Sequence, residues 1–279
     1  MKIYNIPNDL DNKVLATFKV FDHRTSEECV KQMVVLKQNV FSFLIEGSKE
    51  VFFDNRSTSI ESSDFLLMKA GNCLMSEKQS ADTGDYRSVL FFFSKESIFR
   101  FIQKYSLKAS RKDCLKSVYS FPHDNFIKTF VEGVINIIQL NSKIQEELLG
   151  VKFEEIMLYL KETQGVDFIF ALTDSVNKRS QHFIDVIEAN KLNKLTIKEL
   201  SFLSNMSVST FKREFEKRFN CSPSQWFHDK RLEHSAFLLK SKSKRASEIF
   251  EEIGYQNLSN FIHAFKAKYG VTPKQYQLN

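Results

Sequence analysis

The sequence predicts an α+β chain: a strand-rich N-terminal half closing into a small barrel with a helical segment after it, then an all-α C-terminal domain of two helix-turn-helix units. Three observations lead there. Short runs of β-branched and aromatic residues fill residues 13–95. A set of aromatic positions recurs fifty residues apart near the C-terminus. The excess positive charge lies entirely in the last hundred residues: residues 180–279 hold 16 Lys+Arg against 10 Asp+Glu, whereas residues 1–179 balance at 24 and 24. Such asymmetry points to one module that meets a polyanion, although a solvated basic surface gives the same count.

The repeat is the most specific signal. Phe211, Phe215, Phe219, Pro223, Gln225 and Trp226 are matched by Phe261, Phe265, Tyr269, Pro273, Gln275 and Tyr276, with Asn220 opposite Gly270. Aromatics at i, i+4 and i+8 form one helical stripe, and Asn or Gly, tolerant of the left-handed conformation, closes the helix. Ser222-Pro223 and Thr272-Pro273 then supply a hydroxyl cap with proline in the first turn of a new helix. A shorter helix precedes each stripe. In the first copy Thr196 caps Ile197–Ser204, Asn205-Met206 turns the chain, and Ser207 caps Val208–Phe219. In the second, Ala246–Ile253 buries Ile249 and Ile253, Gly254 permits the turn, and a helix runs from Leu258 to Tyr269. Each pair is a helix-turn-helix. The second has one extra residue in its turn, since Leu200 to Phe211 is eleven positions and Ile249 to Phe261 twelve. Helical pairs also build solenoids, but two copies are too few for a stable one. Between the units a helix from Pro223 to about Leu239 sets their separation, which should approach ~34 Å for successive major grooves on one face of DNA.

With the aromatic stripe inward, the opposite face of the first long helix carries Ser209, Lys212, Arg213 and Glu216. That of the second carries Ser259, Asn260 and His263. Side chains near the start of a recognition helix reach base edges, so Ser209, Lys212, Arg213, Ser259, Asn260 and His263 are the candidate base contacts. Lys212 and Arg213 suit guanine acceptors, and Asn260 suits adenine. Lys217, Arg218, Lys266 and Lys268 lie further back as candidate phosphate contacts, which position without specifying. Any of these is also consistent with an ordinary solvated helix residue.

These residues resemble the C-terminal signature of the AraC/XylS family of transcription regulators. The matching string runs Leu200 through Ser207, Phe211, Phe215, Pro223, Arg231-Leu232 and Leu238-Leu239. It continues with Ile249, Ile253-Gly254-Tyr255, Ser259, Phe261, Phe265, Gly270, Thr272-Pro273 and Tyr276. The resemblance covers residues 180–279 and implies a seven-helix domain that binds double-stranded DNA at promoters, usually to activate transcription through RNA polymerase. The chain departs from the pattern at Ser235 and Phe250, where Ala is usual, and at Asn220, where Gly is usual. Phe250 is the bulkiest change and is expected to repack the second unit.

In the N-terminal half, strands are expected at Val14–Phe21, Val34–Leu36, Val40–Ile45, Glu50–Phe53, Ser57–Ser62, Asp64–Met68 and Tyr86–Phe93, punctuated by Glu46-Gly47-Ser48 and Asp54-Asn55-Arg56. Phe41–Gly47, Asp64–Met68 and Lys69-Ala-Gly71 loosely resemble the cupin-like regulatory half of many AraC-type proteins. An enzymatic cupin needs a histidine cluster with a carboxylate, and His23 is the sole histidine in this stretch. No metal site or other cofactor is therefore expected. Leu90-Phe91-Phe92-Phe93 reads as core more than pocket lining, favouring a filled barrel controlled by a protein partner over one enclosing a small effector.

Helices are expected over 96–118 and 124–163. Phe126, Phe130, Val134 and Ile138 fall on one apolar face, which packs on the barrel or forms a homodimer interface. The expected boundaries are a regulatory and dimerisation domain over 1–165, a linker over 166–179 containing Asp174–Lys178, and the DNA-binding domain over 180–279. The scattered Cys29, Cys73, Cys114 and Cys221 fit inert thiols in a reducing compartment. The N-terminus lacks signal-peptide character, so a cytoplasmic location is expected. No nucleophile, phosphate-loop or metal motif marks an enzyme. The competing reading is a partner-binding adaptor that keeps the fold without reading DNA.

Overall fold

The computed structural model describes residues 2–10, 17–53, 57–108, 116–173, 179–241 and 244–278. It divides into two compact units, 1–182 and 183–279.

The first unit is organised by strands whose two faces are both apolar. Its described strands are β1 (Ile3–Ile6), β2 (Phe18–Thr25), β3 (Cys29–Leu36), β4 (Asn39–Glu46), β5 (Ser48–Phe52), β6 (Ser57–Glu61), β7 (Asp64–Met68), β8 (Gly71–Lys78), β9 (Tyr86–Phe93) and β10 (Val118–Pro122). Helix α1 (Lys95–Lys104) precedes β10, and α2 (Asn125–Ile138), α3 (Ser142–Gln164) and α4 (Val166–Ala171) follow it. The strands form two five-stranded sheets, ordered β1-β3-β8-β5-β6 and β10-β7-β4-β9-β2. Antiparallel register sets Phe41 opposite Phe91 and Leu67, and Phe43 opposite Phe65 and Val89.

Because side chains alternate along a strand, each central strand of the second sheet feeds two cores. Phe41, Phe43, Phe65, Leu67, Val89, Phe91 and Phe93 pack with the helices. Val40, Leu44, Leu66, Met68, Leu90 and Phe92 meet Val34, Leu36, Val51, Ile60 and Met75 of the opposing sheet. A strand buried on both sides reads as a continuous apolar run instead of an alternating one, which is the pattern at Val89–Phe93 and, interrupted by the buried Ser42, at Phe41–Ile45.

The helical layer corrects one sequence expectation. Phe130 and Val134 are buried in this unit's own core, with the Phe130 ring 5.6 Å from Phe43 and 6.5 Å from Phe91. They are thus unavailable to a dimer partner. Phe126 remains exposed but stacks on Tyr159 at 4.6 Å, and Ile138 is half-buried. The expected helix over 124–163 breaks at residues 139–141, where Asn141 caps α3 by accepting from the Ile144 N–H at 3.3 Å.

Other boundaries shift for readable reasons. Strands β1, β8 and β10 were not anticipated; β8 has no β-branched residue, and β10 falls at the edge of a run taken as helix. The linker expected over 166–179 begins as α4, whose Ile169, like Leu172 just after it, lies in the first unit's core. Val14, Asp54–Arg56, Cys114 and Asp174–Lys178 lie outside the described residues. No described helix is long and apolar enough to cross a membrane.

Between the sheets lies a charged cluster. Lys49, 2% exposed, places its Nζ 3.1 Å from Glu77 Oε1 and donates to Ser42 Oγ at 3.1 Å, while Glu77 Oε2 is 3.2 Å from His23 Nε2. Burial alone would push the Glu77 carboxyl up, but the Lys49 ammonium and the His23 contact overcome it and hold the group at about 2. Burial likewise opposes the Lys49 charge, yet Tyr86 and Glu77 raise its pKa above the ordinary lysine value. Removing one partner of such a pair strands a buried charge, whereas replacing both by apolar groups is often near neutral.

A pH dependence follows. An unfolded glutamate near 4.5 binds a proton that the folded Glu77 does not take until about 2. Its stabilisation is therefore complete above the unfolded value and is lost as the pH falls through this interval. In urea melts, the parent is expected to lose more stability between about pH 6 and about pH 3 than a Lys49→Met, Glu77→Leu double variant. Equal losses would remove this pair from the account.

Candidate nucleic-acid interface

The second unit is built around two aromatic ladders. Its helices are α5 (Arg179–Ala189, which spans the boundary between units), α6 (Ile197–Leu203), α7 (Val208–Phe219), α8 (Pro223–Ser241), α9 (Ala246–Ile249), α10 (Leu258–Tyr269) and α11 (Pro273–Leu278). On α7, ring centroids step 5.8 Å from Phe211 to Phe215 and 4.4 Å to Phe219, and Trp226 of α8 sits 5.7 Å from Phe215 and 5.1 Å from Phe219. On α10 the steps are 5.8 Å from Phe261 to Phe265 and 4.6 Å to Tyr269, with Tyr276 of α11 at 5.3 Å and 5.2 Å. The fifty-residue repeat is therefore a repeat of packing as well as of sequence. Such offset and edge-on pairs add about 0.5–1.5 kcal/mol each beyond area burial.

Capping sets where α7 and α10 start and stop. Ser207 accepts from the Thr210 N–H at 3.2 Å, and Asn257 accepts from the Asn260 N–H at 2.9 Å. Asn220 (φ 54) and Gly270 (φ 78) close the helices in the left-handed conformation, so Asn does the work of the usual Gly. Thr196 and Glu199 form a reciprocal capping box on α6.

The departures at Ser235 and Phe250 are both accommodated. Ser235 is buried, and its hydroxyl donates to the Leu232 carbonyl at 2.7 Å. Phe250 is half-buried against the second unit's core, and α9 stops at Ile249, short of the expected Ile253. The chain reaches Gly254 (φ 97) through turns, and Tyr255 Oη lies 2.7 Å from His228 Nε2.

Against this frame, Ser209, Lys212 and Arg213 are exposed on the α7 face opposite the ladder, and the Arg213 side chain is 74% exposed. Glu216 shares that face. Ser259, Asn260 and His263 are exposed on α10. Lys217 and Lys266 are also exposed, one turn further along each helix.

Arg218 is exposed too, and of the expected phosphate contacts Lys268 is drawn into ion pairs within the unit. The Arg218 guanidinium lies over the Phe183 ring of α5 at 6.0 Å. Lys268 donates to the Asp229 carbonyl at 2.9 Å and sits 3.3 Å from Glu233 Oε1 and 3.5 Å from Asp229 Oδ1. Lys268 thus ties α10 to α8, and its ammonium is turned to that helix. Sequence reasoning placed it by helical phase alone; the acceptors lie thirty-five or more residues away on another helix. Asn257, the cap of α10, was also missed, although Asn three positions before Asn260 is a readable capping signal.

This is a two-part chain in which paired helix-turn-helix units, held by one kind of aromatic clamp, follow a two-sheet unit backed by helices. Comparison with known proteins agrees part by part. Residues 39–171 match the ExsA N-terminal regulatory domain, and residues 200–279 match a helix-turn-helix domain family. The chain thus carries an ExsA-type regulatory domain followed by a helix-turn-helix domain of the AraC type, the pairing found in transcription regulators.

It is 22% identical over 246 residues to the HTH-type transcriptional regulator ExsA of Pseudomonas aeruginosa, covering 86% of each chain. It is 34% identical over 158 residues to an uncharacterised HTH-type transcriptional regulator of Haemophilus influenzae, covering 56% of this chain and 47% of that one. The chain spans about half the length of several of the curated relatives it matches. Among solved structures, a ToxT variant from Vibrio cholerae aligns over 95% of this chain and 98% of its own, with a TM-score of 0.46 and 15% identity.

The different settings of the lysines lead to a direct comparison. Lys217→Ala is expected to lower the salt slope of DNA binding by about 1, while Lys268→Ala leaves the slope unchanged and costs up to about 1 kcal/mol of folding stability. Slopes from titrations at several salt concentrations, with melts of the same proteins, separate the two roles. Equal loss of slope would return Lys268 to the phosphate set.

Proposed function

We propose that this chain is a sequence-specific DNA-binding transcription regulator, acting as an activator, that reads two successive major-groove segments with α7 and α10. The supporting observation is the repeated aromatic clamp: two helices capped and buried alike each turn a polar face to solvent. In this reading Ser209, Lys212 and Arg213 read bases from the first unit, and Ser259, Asn260 and His263 from the second. Lys217 and Lys266 hold phosphates. The first unit, with the two cations, anchors, and the second modulates.

Activation implies contact with RNA polymerase at a promoter, and a cytoplasmic location accompanies that role. We further propose a homodimer. Apolar residues left outside the core and available for it include Phe126 and Ile138 of the expected face, with Ile144 and Val151 exposed on α3.

Recognition predicts a specific cost. In competition binding against a cognate promoter fragment, Arg213→Ala is expected to lose about 1–3 kcal/mol and to relax preference at one base position. Affinity is expected to fall steeply with salt, because several phosphates are neutralised. An Arg213→Ala, Asn260→Ala variant that binds and discriminates like the parent would overturn the assignment of these helices as readers. Salt-insensitive association with no preference for any promoter would favour the adaptor reading.

A further inference from the structure

The two-sheet unit is not filled. A cavity of about 250 Å³ opens between the sheets, walled by Val34, Leu36, Val40, Met68, Leu90 and Phe92. Leu90 and Phe92, expected as core, line it because they sit on the strand face opposite Phe91 and Phe93. An apolar cavity of ~150 Å³ takes benzene, so this one holds a molecule of roughly ten non-hydrogen atoms.

Charge decides what kind of molecule. At the inner end Lys49 and Glu77 cancel one another at 3.1 Å. Glu27 and Glu28, exposed beside the β2–β3 turn, supply two more carboxylates to the lining. Neither belongs to an ion pair among the described residues. Glu28 accepts the Gln79 backbone N–H at 3.3 Å, leaving its charge uncompensated. Among the described lining residues three carboxylates thus face one ammonium, an excess of negative charge. An anionic head would enter against that field, whereas a cationic head is drawn in with its apolar body against the walls.

We propose that this cavity binds a small apolar molecule carrying a single cationic amine, with the head at Glu27 and Glu28 and the body against Val34, Met68 and Phe92. The site is independent of the recognition helices, so it stands or falls separately from DNA binding.

Three probes of matched size test it on the full chain: phenethylamine, phenethyl alcohol and phenylacetate. Calorimetric titration is expected to show phenethylamine binding at least ~10-fold more tightly than the alcohol, with phenylacetate weakest and the amine losing affinity as salt rises. Methyl-labelled methionine gives the location: phenethylamine should shift the Met68 and Met75 resonances and leave Met206 unmoved. A Glu27→Gln, Glu28→Gln variant changes only exposed side chains and should retain the fold while weakening the amine several-fold. The proposal is overturned if phenylacetate binds as tightly as the amine. It is equally overturned if the amine leaves Met68 and Met75 unmoved, or if the double variant binds it undiminished.

Discussion

Stacking of aromatic rings at four-residue steps along α7 and α10 is the interaction on which the DNA-binding unit depends. Each ring is large enough that burying it contributes about 1.5–3 kcal/mol, and each ladder is closed by an aromatic from the next helix, Trp226 or Tyr276. That closure fixes the rotation of the recognition helix about its own axis. Once Phe211 and Phe215, or Phe261 and Phe265, are fully buried, helical geometry leaves Lys212 and Arg213, or Asn260 and His263, on the open side. The proposed reading face is thus a consequence of core packing. Its asymmetry comes from substitutions at positions the core does not constrain.

An analogous constraint shapes the first unit. Strands β7, β4 and β9 must satisfy two cores at once, so consecutive residues are both apolar yet have different neighbours. The helix-side core consumes Phe130 and Val134, which removes them from any subunit interface. The sheet-side core leaves space, and into that space project the Lys49–Glu77 pair and His23. A buried ion pair beside an open cavity lies where a polar ligand group can reach it, whereas in a close-packed core it would only be a structural element.

Much of the second unit was legible because its signals are local. Caps, the aromatic period, and the Asn or Gly closures place α7 and α10 to the residue. What the sequence did not disclose depended on distant partners: Lys268 reaching Asp229 and Glu233, and Arg218 lying over Phe183. In the first unit the central strands were readable from their apolar runs. Strand β8 was not, since Gly71, Asn72 and Ser76 carry little strand propensity and are held by pairing with β3 and β5. The same ambiguity made an apolar face on α2 look like an interface. Period alone identifies a buried face without naming what buries it.

The central claim is that one chain presents two recognition helices to one stretch of DNA. Hydroxyl-radical footprinting of the full chain on a cognate promoter fragment tests it most directly. The account predicts two protected segments on the same face, about 10 base pairs centre to centre, for each bound chain. It also predicts that Asn260→Ala weakens only the segment under the second unit. A single protected segment per chain, or two that respond together to Asn260→Ala, would contradict it.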